Sequence, residues 1–156
     1  MGTPRAATES IDAARLADAL RSGIHRVILE QETLNRINVF PVADGDTGTN
    51  LCMSLGAALD TLARPGAERL GTFLARVADV LLDSARGNSG AIMAQFFQGM
   101  SDAAEDLSDF SAHSYARAED HGSRYAPDAL SNPREGTILS VIAAVAQSLR
   151  KQVTAN

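Results

Sequence analysis

The chain has 156 residues, 45% of them hydrophobic and 21% charged, with a formal net charge of −5. This size and balance suit one folded domain with a real core and exclude a disordered chain. Lys151 is the only lysine and no basic stripe runs through the chain, so nucleic acid is not an expected partner. Cys52, the single cysteine, excludes a disulfide framework.

Residues 1–9 read as a flexible tail. Thr8 or Ser10 is then placed to cap one helix from Ile11 to about Asn35. Its apolar positions (Ile11, Leu16, Leu20, Ile24, Val27, Ile28, Leu34) recur mostly at spacings of three or four, the mark of one buried face. His25 on this helix reads as a surface residue. Pro41 then forces Val39-Phe40-Pro41-Val42 to be extended or irregular. A second helix is expected from about Thr49 to Ala63, ended by Arg64-Pro65-Gly66, with Cys52 as a buried small hydrophobe. A third is expected from about Ala67 to Ser84. It presents Leu70, Phe73, Leu74, Val77, Leu81 and Leu82 as its apolar face. A Gly-containing turn, Ala85-Arg86-Gly87-Asn88-Ser89-Gly90, feeds the next apolar helix. Residues 101–109 read as a solvated acidic helix end and loop, and residues 110–130 as a weak helix carrying His113 and His121 on its surface. Asn132-Pro133 breaks the chain before a last apolar helix that starts near Thr137. Helices joined by short loops, without a strand pattern, predict an all-α bundle or barrel. No apolar run is long enough to span a bilayer and no secretory signal is seen, so the expected location is cytoplasmic.

One stretch is denser in chemistry than the rest: Asn38-Val39-Phe40-Pro41-Val42-Ala43-Asp44-Gly45-Asp46-Thr47-Gly48-Thr49-Asn50. Asp44 and Asp46 aim two hard oxygen ligands at one point if the backbone turns between them, and Gly45 permits that turn. Gly48 permits close approach of backbone to a ligand. Thr49 or Asn50 is a candidate N-cap for the following helix, whose free N–H groups and partial positive charge suit a phosphate. The local chemistry is that of a divalent cation and a phosphate. The alternative is an Asx-type turn preceding a helix. Ser89, between Gly87 and Gly90, repeats the pattern as a cap or phosphate ligand, and Thr137 is a third hydroxyl at a helix start.

The spacing excludes several familiar sites. An EF-hand counted from Asp44 requires glycine where Thr49 stands and glutamate where Leu55 stands. No glycine is followed by Lys-Ser or Lys-Thr, so there is no Walker A loop. A phosphatase using Asp44 as nucleophile needs threonine where Gly48 stands, and a central strand that Pro41 disfavours.

Three segments in order carry a resemblance: Leu34-Asn35-x-x-Asn38-Val39-Phe40-Pro41-Val42-x-Asp44-Gly45-Asp46-Thr47-Gly48-Thr49-Asn50, then Ala85-Arg86-Gly87-Asn88-Ser89-Gly90, then Pro133-x-Glu135-Gly136-Thr137-Ile138-Leu139. From about residue 10 onward the chain resembles the nucleotide-binding domain of the dihydroxyacetone kinase family, and most closely its branch in bacterial fatty acid kinases. The resemblance implies an antiparallel up-and-down helical barrel over residues 10–156. Its last helices are expected to be missing here. It also implies ATP or ADP held over Mg2+ at one end of the barrel. Asp44 and Asp46 are implied as metal ligands, with Asn38 standing where dihydroxyacetone kinases carry a further aspartate. Thr47, Gly48, Thr49, Asn50, Asn88, Ser89 and Gly90 are implied to face the phosphates, and Thr137 to line the nucleotide pocket. No side chain is implied as a general base. The implied activity is transfer of the ATP γ-phosphate to a fatty acid carboxylate or a dihydroxyacetone-like hydroxyl, presented by a separate domain or protein. A lipid in the barrel and a homo-oligomer are compatible with it. The short C-terminus and Asn38 also leave open a non-catalytic adaptor of the same fold that binds a partner or lipid.

Overall fold

The computed structural model describes residues 10–63, 66 and 68–155. They fold as an all-α bundle: α1 (Ala13–Leu29), α2 (Gln31–Arg36), α3 (Thr47–Gly56), a single turn α4 (Leu59–Leu62), α5 (Leu70–Ser84), α6 (Gly87–Ala104), α7 (Ala112–Tyr125), a 3-10 turn (Ala126–Ala129) and α8 (Ile138–Thr154). Among the described residues the only β-type pairing is an isolated bridge. There Ile11 and Phe110 exchange both backbone hydrogen bonds, at 2.9 and 2.8 Å. It ties the start of the bundle to the α6–α7 connection, where fully buried Phe110 meets Tyr115 edge-on.

Several boundaries differ from the sequence expectation. The first helix is two. The helix is interrupted at Glu30, whose N–H donates to both Arg26 O and Val27 O, and α2 begins at Gln31. No residue of poor helix propensity marks this break. Its effect is tertiary, because it turns Gln31 and Asn35 towards α3. The α1 cap is neither Ser10 nor Thr8, which lies outside the described residues. It is Asp12, whose carboxylate accepts from Arg15 N at 2.9 Å. The second helix begins at Thr47 and gives way after Gly56 to the α4 turn, so its N-cap position is Asp46, not Thr49 or Asn50. Arg64, Pro65 and Ala67, placed at the expected end of one helix and start of the next, lie outside the described residues, and α5 begins at Leu70. Leu82, expected on the buried face of α5, is exposed, because that face closes over Leu74, Val77, Ala78 and Leu81. Cys52 is only half-buried, with its thiol against Val27 O. His121 is also half-buried, while His113 is on the surface.

Helix α6 lies at the centre, with α5, α7, α3 and the 3-10 turn around it. Buried residues therefore occur on all its sides: Ile92, Ala94, Phe96, Phe97, Met100 and Ala104. Helices α5 and α6 run antiparallel at backbone contact, since a methyl on Gly71 would sit 2.4 Å from Ala104 O. The α6–α7 crossing is just as close. Gly99 faces the His121 carbonyl and Gly122 faces the Phe96 ring, so both glycines are space requirements. Helix α8 packs on α7, and Asp120 on α7 pairs with Arg124 at 2.7 Å and with Arg150 of α8 at 2.9 Å. An apolar cavity of about 240 Å³ lies between α1, α3, α5 and α6, lined by Leu20, Ile24, Leu55, Leu81, Met93 and Phe97 among others.

Glu119 is the one charged residue type buried among the described residues. It accepts a hydrogen bond from the Tyr115 hydroxyl at 2.7 Å, one turn back on α7. Burial holds the Glu119 carboxyl above its ordinary range, partly offset by that bond, and burial beside Glu119 pushes the Tyr115 hydroxyl up as well.

Two predictions follow from this packing. Gly99→Ala places a methyl 2.7 Å from His121 O. We expect a net loss of about 1–2 kcal/mol after the gain in helix propensity, read as a fall in Tm of a few degrees. For Glu119 the folded-state pKa is raised, so ionisation costs more in the folded chain than in the unfolded one. The penalty is absent below the unfolded carboxylate value and complete above the folded one. Glu119→Gln should therefore raise Tm relative to the parent at neutral pH, with the difference shrinking as pH falls through the carboxylate range. A difference independent of pH would contradict this.

Candidate functional site

The loop from Asn38 to Asp46 contributes no buried side chain, so apolar packing does not set its shape. Local bonds and one glycine do. Gly45 sits at φ 67°, in the left-handed region that its missing Cβ allows, and reverses the chain between Asp44 and Asp46. The Asn38 carboxamide donates to Asp44 Oδ1 at 2.5 Å, closing the loop across its base. Both aspartates are exposed. Asn38, Asp44 and Asp46 thus lie in one turn, with Asp46 at the N-cap position of α3.

The first turn of α3 is held from α2. Gln31 and Asn35, four apart on one face of α2, both donate to Thr49 Oγ1, at 3.2 and 3.0 Å. Asn35 Oδ1 accepts the Thr49 N–H at 3.0 Å, so this carboxamide caps α3 from outside it. Thr49 therefore turns its hydroxyl towards α2. Gly48 is where the two helices touch, since a Cβ there would sit 2.2 Å from Gln31 O. The Asn50 N–H bonds back to Asp46 O. Thr47 and Gly48 are the first-turn residues whose N–H groups have no partner among the described residues.

The start of α6 is locked beside the start of α3. Fully buried Ser54 accepts the Arg86 N–H at 2.8 Å, and its hydroxyl occupies the space a Cβ on Gly90 would need. Gly87, at φ 59°, lies against the Asn50 carboxamide. Ser89 is buried in the first turn of α6, not at its N-cap position, which Arg86 occupies. Its hydroxyl reaches Thr47 O at 3.4 Å. The Gly90 N–H bonds to Arg86 O, and no side chain caps α6. The N–H groups of Gly87, Asn88 and Ser89 are thus also without a partner among the described residues. Two helix N-termini, of α3 and α6, open side by side next to the aspartate loop.

The third segment arrives at the same place. A methyl built on Gly136, at φ 79°, would lie 4.0 Å from the Phe40 ring. Thr137 is the N-cap of α8. Its hydroxyl accepts from Leu139 N at 3.3 Å and donates to Arg134 O at 2.8 Å, while Ser140 caps back onto Gly136 N. The α8 start is thus capped internally, whereas those of α3 and α6 lack such a cap.

The donor set suits a hard cation only in part. Among the described residues no three His, Cys, Asp or Glu side chains are grouped to hold an ion. Two exposed carboxylates and a carboxamide oxygen fit magnesium, which keeps several waters and takes its other ligands from phosphate oxygens. Among the described residues, the motif segments border neither the apolar cavity nor a polar one near Asp102 and His121. Sequence reasoning missed Ser54 and Gln31, and gave Asn35 no role. The signal for Ser54 was a serine inside an apolar helical run. For Gln31 and Asn35 it was two carboxamides four residues apart just before the motif. Among the described residues, no helix is long and apolar enough to cross a membrane.

Residues 41–156 match the model of the DAK2 domain. The chain is 33% identical over 132 residues to Protein YloV of Bacillus subtilis, covering 85% of this chain and 24% of that protein. It is 32% identical over 131 residues to an uncharacterized protein of Staphylococcus saprophyticus, covering 84% and 24%. An uncharacterized protein of Staphylococcus aureus is 31% identical over 138 residues, covering 88% and 25%. The chain thus spans about a quarter of the length of the curated relatives it matches. With the family model covering most of its length, the chain belongs to the DAK2 domain family, a branch of the dihydroxyacetone kinase group.

Proposed function

We propose that the chain is an ATP- and Mg2+-binding phosphotransfer domain that moves the γ-phosphate of ATP to an acceptor carried by a separate domain or protein. One observation carries this reading: the unpaired N–H groups of Thr47 and Gly48 and of Gly87, Asn88 and Ser89 open side by side, next to Asp44 and Asp46. Backbone donors at helix starts suit phosphate oxygens. Two carboxylates beside them repel phosphates unless a cation lies between, which is why the pair and the N–H groups make sense together.

On this reading Asp44 and Asp46 hold the magnesium, with Asn38 a neighbouring neutral ligand through its Oδ1. The bound ion supplies charge neutralisation on the phosphate oxygens. The chain's own residues position. Gly87, Asn88, Ser89 and Gly90 bring backbone to the phosphates, Thr47 and Gly48 do so from the other helix, and Asn50 fills the junction between them. Thr49 supports this cradle from the α2 side. Thr137, beside the Phe40 contact, borders the nucleotide. Holding these groups in fixed positions is how phosphotransfer catalysts gain most of their advantage.

The acceptor is a fatty acid carboxylate or a dihydroxyacetone-like hydroxyl. The three histidines (His25, His113, His121) lie outside the three motif segments, so the loop supplies no imidazole base. A carboxylate acceptor is already deprotonated and needs none, and this favours it over a hydroxyl.

The test is calorimetric. Asp44→Ala and Asp46→Ala should each weaken magnesium-dependent ATP binding at least about tenfold. Helicity should stay intact, since both side chains are exposed. Unchanged nucleotide binding in both variants would sink the reading.

A further inference from the structure

We propose that Asn35 is the positioning residue of this site: its backbone carbonyl holds the start of the Asp44–Asp46 loop, and its carboxamide holds the point where the loop becomes α3. The inference rests on the phosphotransfer reading for its consequence, but its geometry does not depend on that reading.

Three contacts converge on Asn35. Its backbone carbonyl accepts the Asn38 N–H at 3.3 Å, where the loop begins. The same carbonyl lies 3.7 Å from where a Cβ on Gly45 would be, at the turn between the aspartates. Its side chain takes the Thr49 N–H and donates to the Thr49 hydroxyl, both at 3.0 Å, where the loop has become helix. Gln31 adds a second donor to that hydroxyl at 3.2 Å. Two donors fill both lone pairs of Thr49 Oγ1, leaving the hydroxyl only its proton to give. It can then serve a phosphate as donor and cannot serve a cation as ligand.

The arrangement also explains why α2 exists as a separate helix. It has six residues and fully buries none of them, and only Leu34 packs against the core. Its outer positions, such as Glu32 and Arg36, are exposed. What it contributes is the Gln31–Asn35 face, held so close to α3 that position 48 has no room for a side chain. An exposed loop with no apolar anchor depends on such a clamp to keep two carboxylates in register with a neighbouring helix start.

The experiment compares the parent protein with Asn35→Ala, Asn35→Asp and the control Glu32→Ala on the exposed side of α2. Two quantities are read: amide hydrogen exchange of the free protein, and Mg-ADP affinity by calorimetry. Asn35→Ala should speed exchange of the Thr49 amide, and of its neighbours in the first turn of α3, at least about tenfold, while amides of α5, α6 and α7 keep their protection. Mg-ADP should bind about tenfold more weakly. Asn35→Asp keeps the acceptor for the Thr49 N–H, so that amide should stay slow to exchange. It adds a negative charge and loses the donor, so Mg-ADP affinity should still fall. Glu32→Ala should match the parent in both. Thr49 protection unchanged in Asn35→Ala, exchange faster uniformly along the chain, or a loosened α3 start that still binds Mg-ADP like the parent would each overturn the proposal. Absence of Mg-ADP binding in the parent, with the exchange pattern as described, would remove the phosphotransfer reading and leave the clamp standing.

Discussion

The arrangement at the motif end of the bundle depends on the hydroxyl of Ser54. It is fully buried between α3 and α6, takes the Arg86 N–H, and occupies the space next to Gly90. Through it the start of α6 is fixed to the side of α3, and the two helix N-termini cannot drift apart. A buried hydroxyl left without its partner costs about 1–3 kcal/mol, so this contact resists sliding in a way that apolar packing alone does not. Gly48, Gly87 and Gly90 are then dictated by the same geometry: each stands where another residue's backbone or polar group already fills the Cβ position. The glycines of the motifs serve close approach as much as turning, and only Gly45, Gly87 and Gly136 have positive φ.

Charges of one sign gather at this end of the bundle. Asp44 and Asp46 are exposed and stand either side of Gly45, and the whole chain carries −5. Beside them lie backbone N–H groups that no described residue satisfies. Acceptors and donors both face outward without answering each other. An anion that brings its own cation, as in the proposed ligand, would answer both.

Much of the fold was legible in the sequence. The all-α class followed from periodic apolar spacing and the lack of strand pattern. The buried positions of α5 from Leu70 to Leu81 followed from the same rule, because that helix packs on one dominant neighbour. The rule failed at Leu82, one position past the buried stripe, where only the packed partner decides. It failed at Glu30 too, where a long periodic stretch breaks with no residue to signal it. The gain there is a set of polar contacts to α3, some twenty residues on, which local propensity does not encode. Helix starts were misplaced by a few positions for a related reason. Asp46 and Arg86 occupy N-cap positions without capping, so the usual cap residues Thr49 and Ser89 drew the expected boundaries inward.

For the motifs, the sequence gives residue types and order, and their chemistry could be read from those alone. Their meeting in space could not. That Gly87 touches Asn50, that Ser89 reaches Thr47 and that Gly136 approaches Phe40 are facts of tertiary packing. Ser54, Gln31 and Asn35 were hidden because a polar residue on a helix is usually a solvated one. The measurement that tests the central claim most directly is an amide chemical-shift titration of the unmodified protein with Mg-ADP. The account predicts that shifts concentrate at Thr47–Gly48, at Gly87–Ser89 and around Gly136–Thr137, and that they vanish without magnesium. Shifts that are absent at saturating nucleotide, or that gather elsewhere while these three segments stay silent, would contradict it.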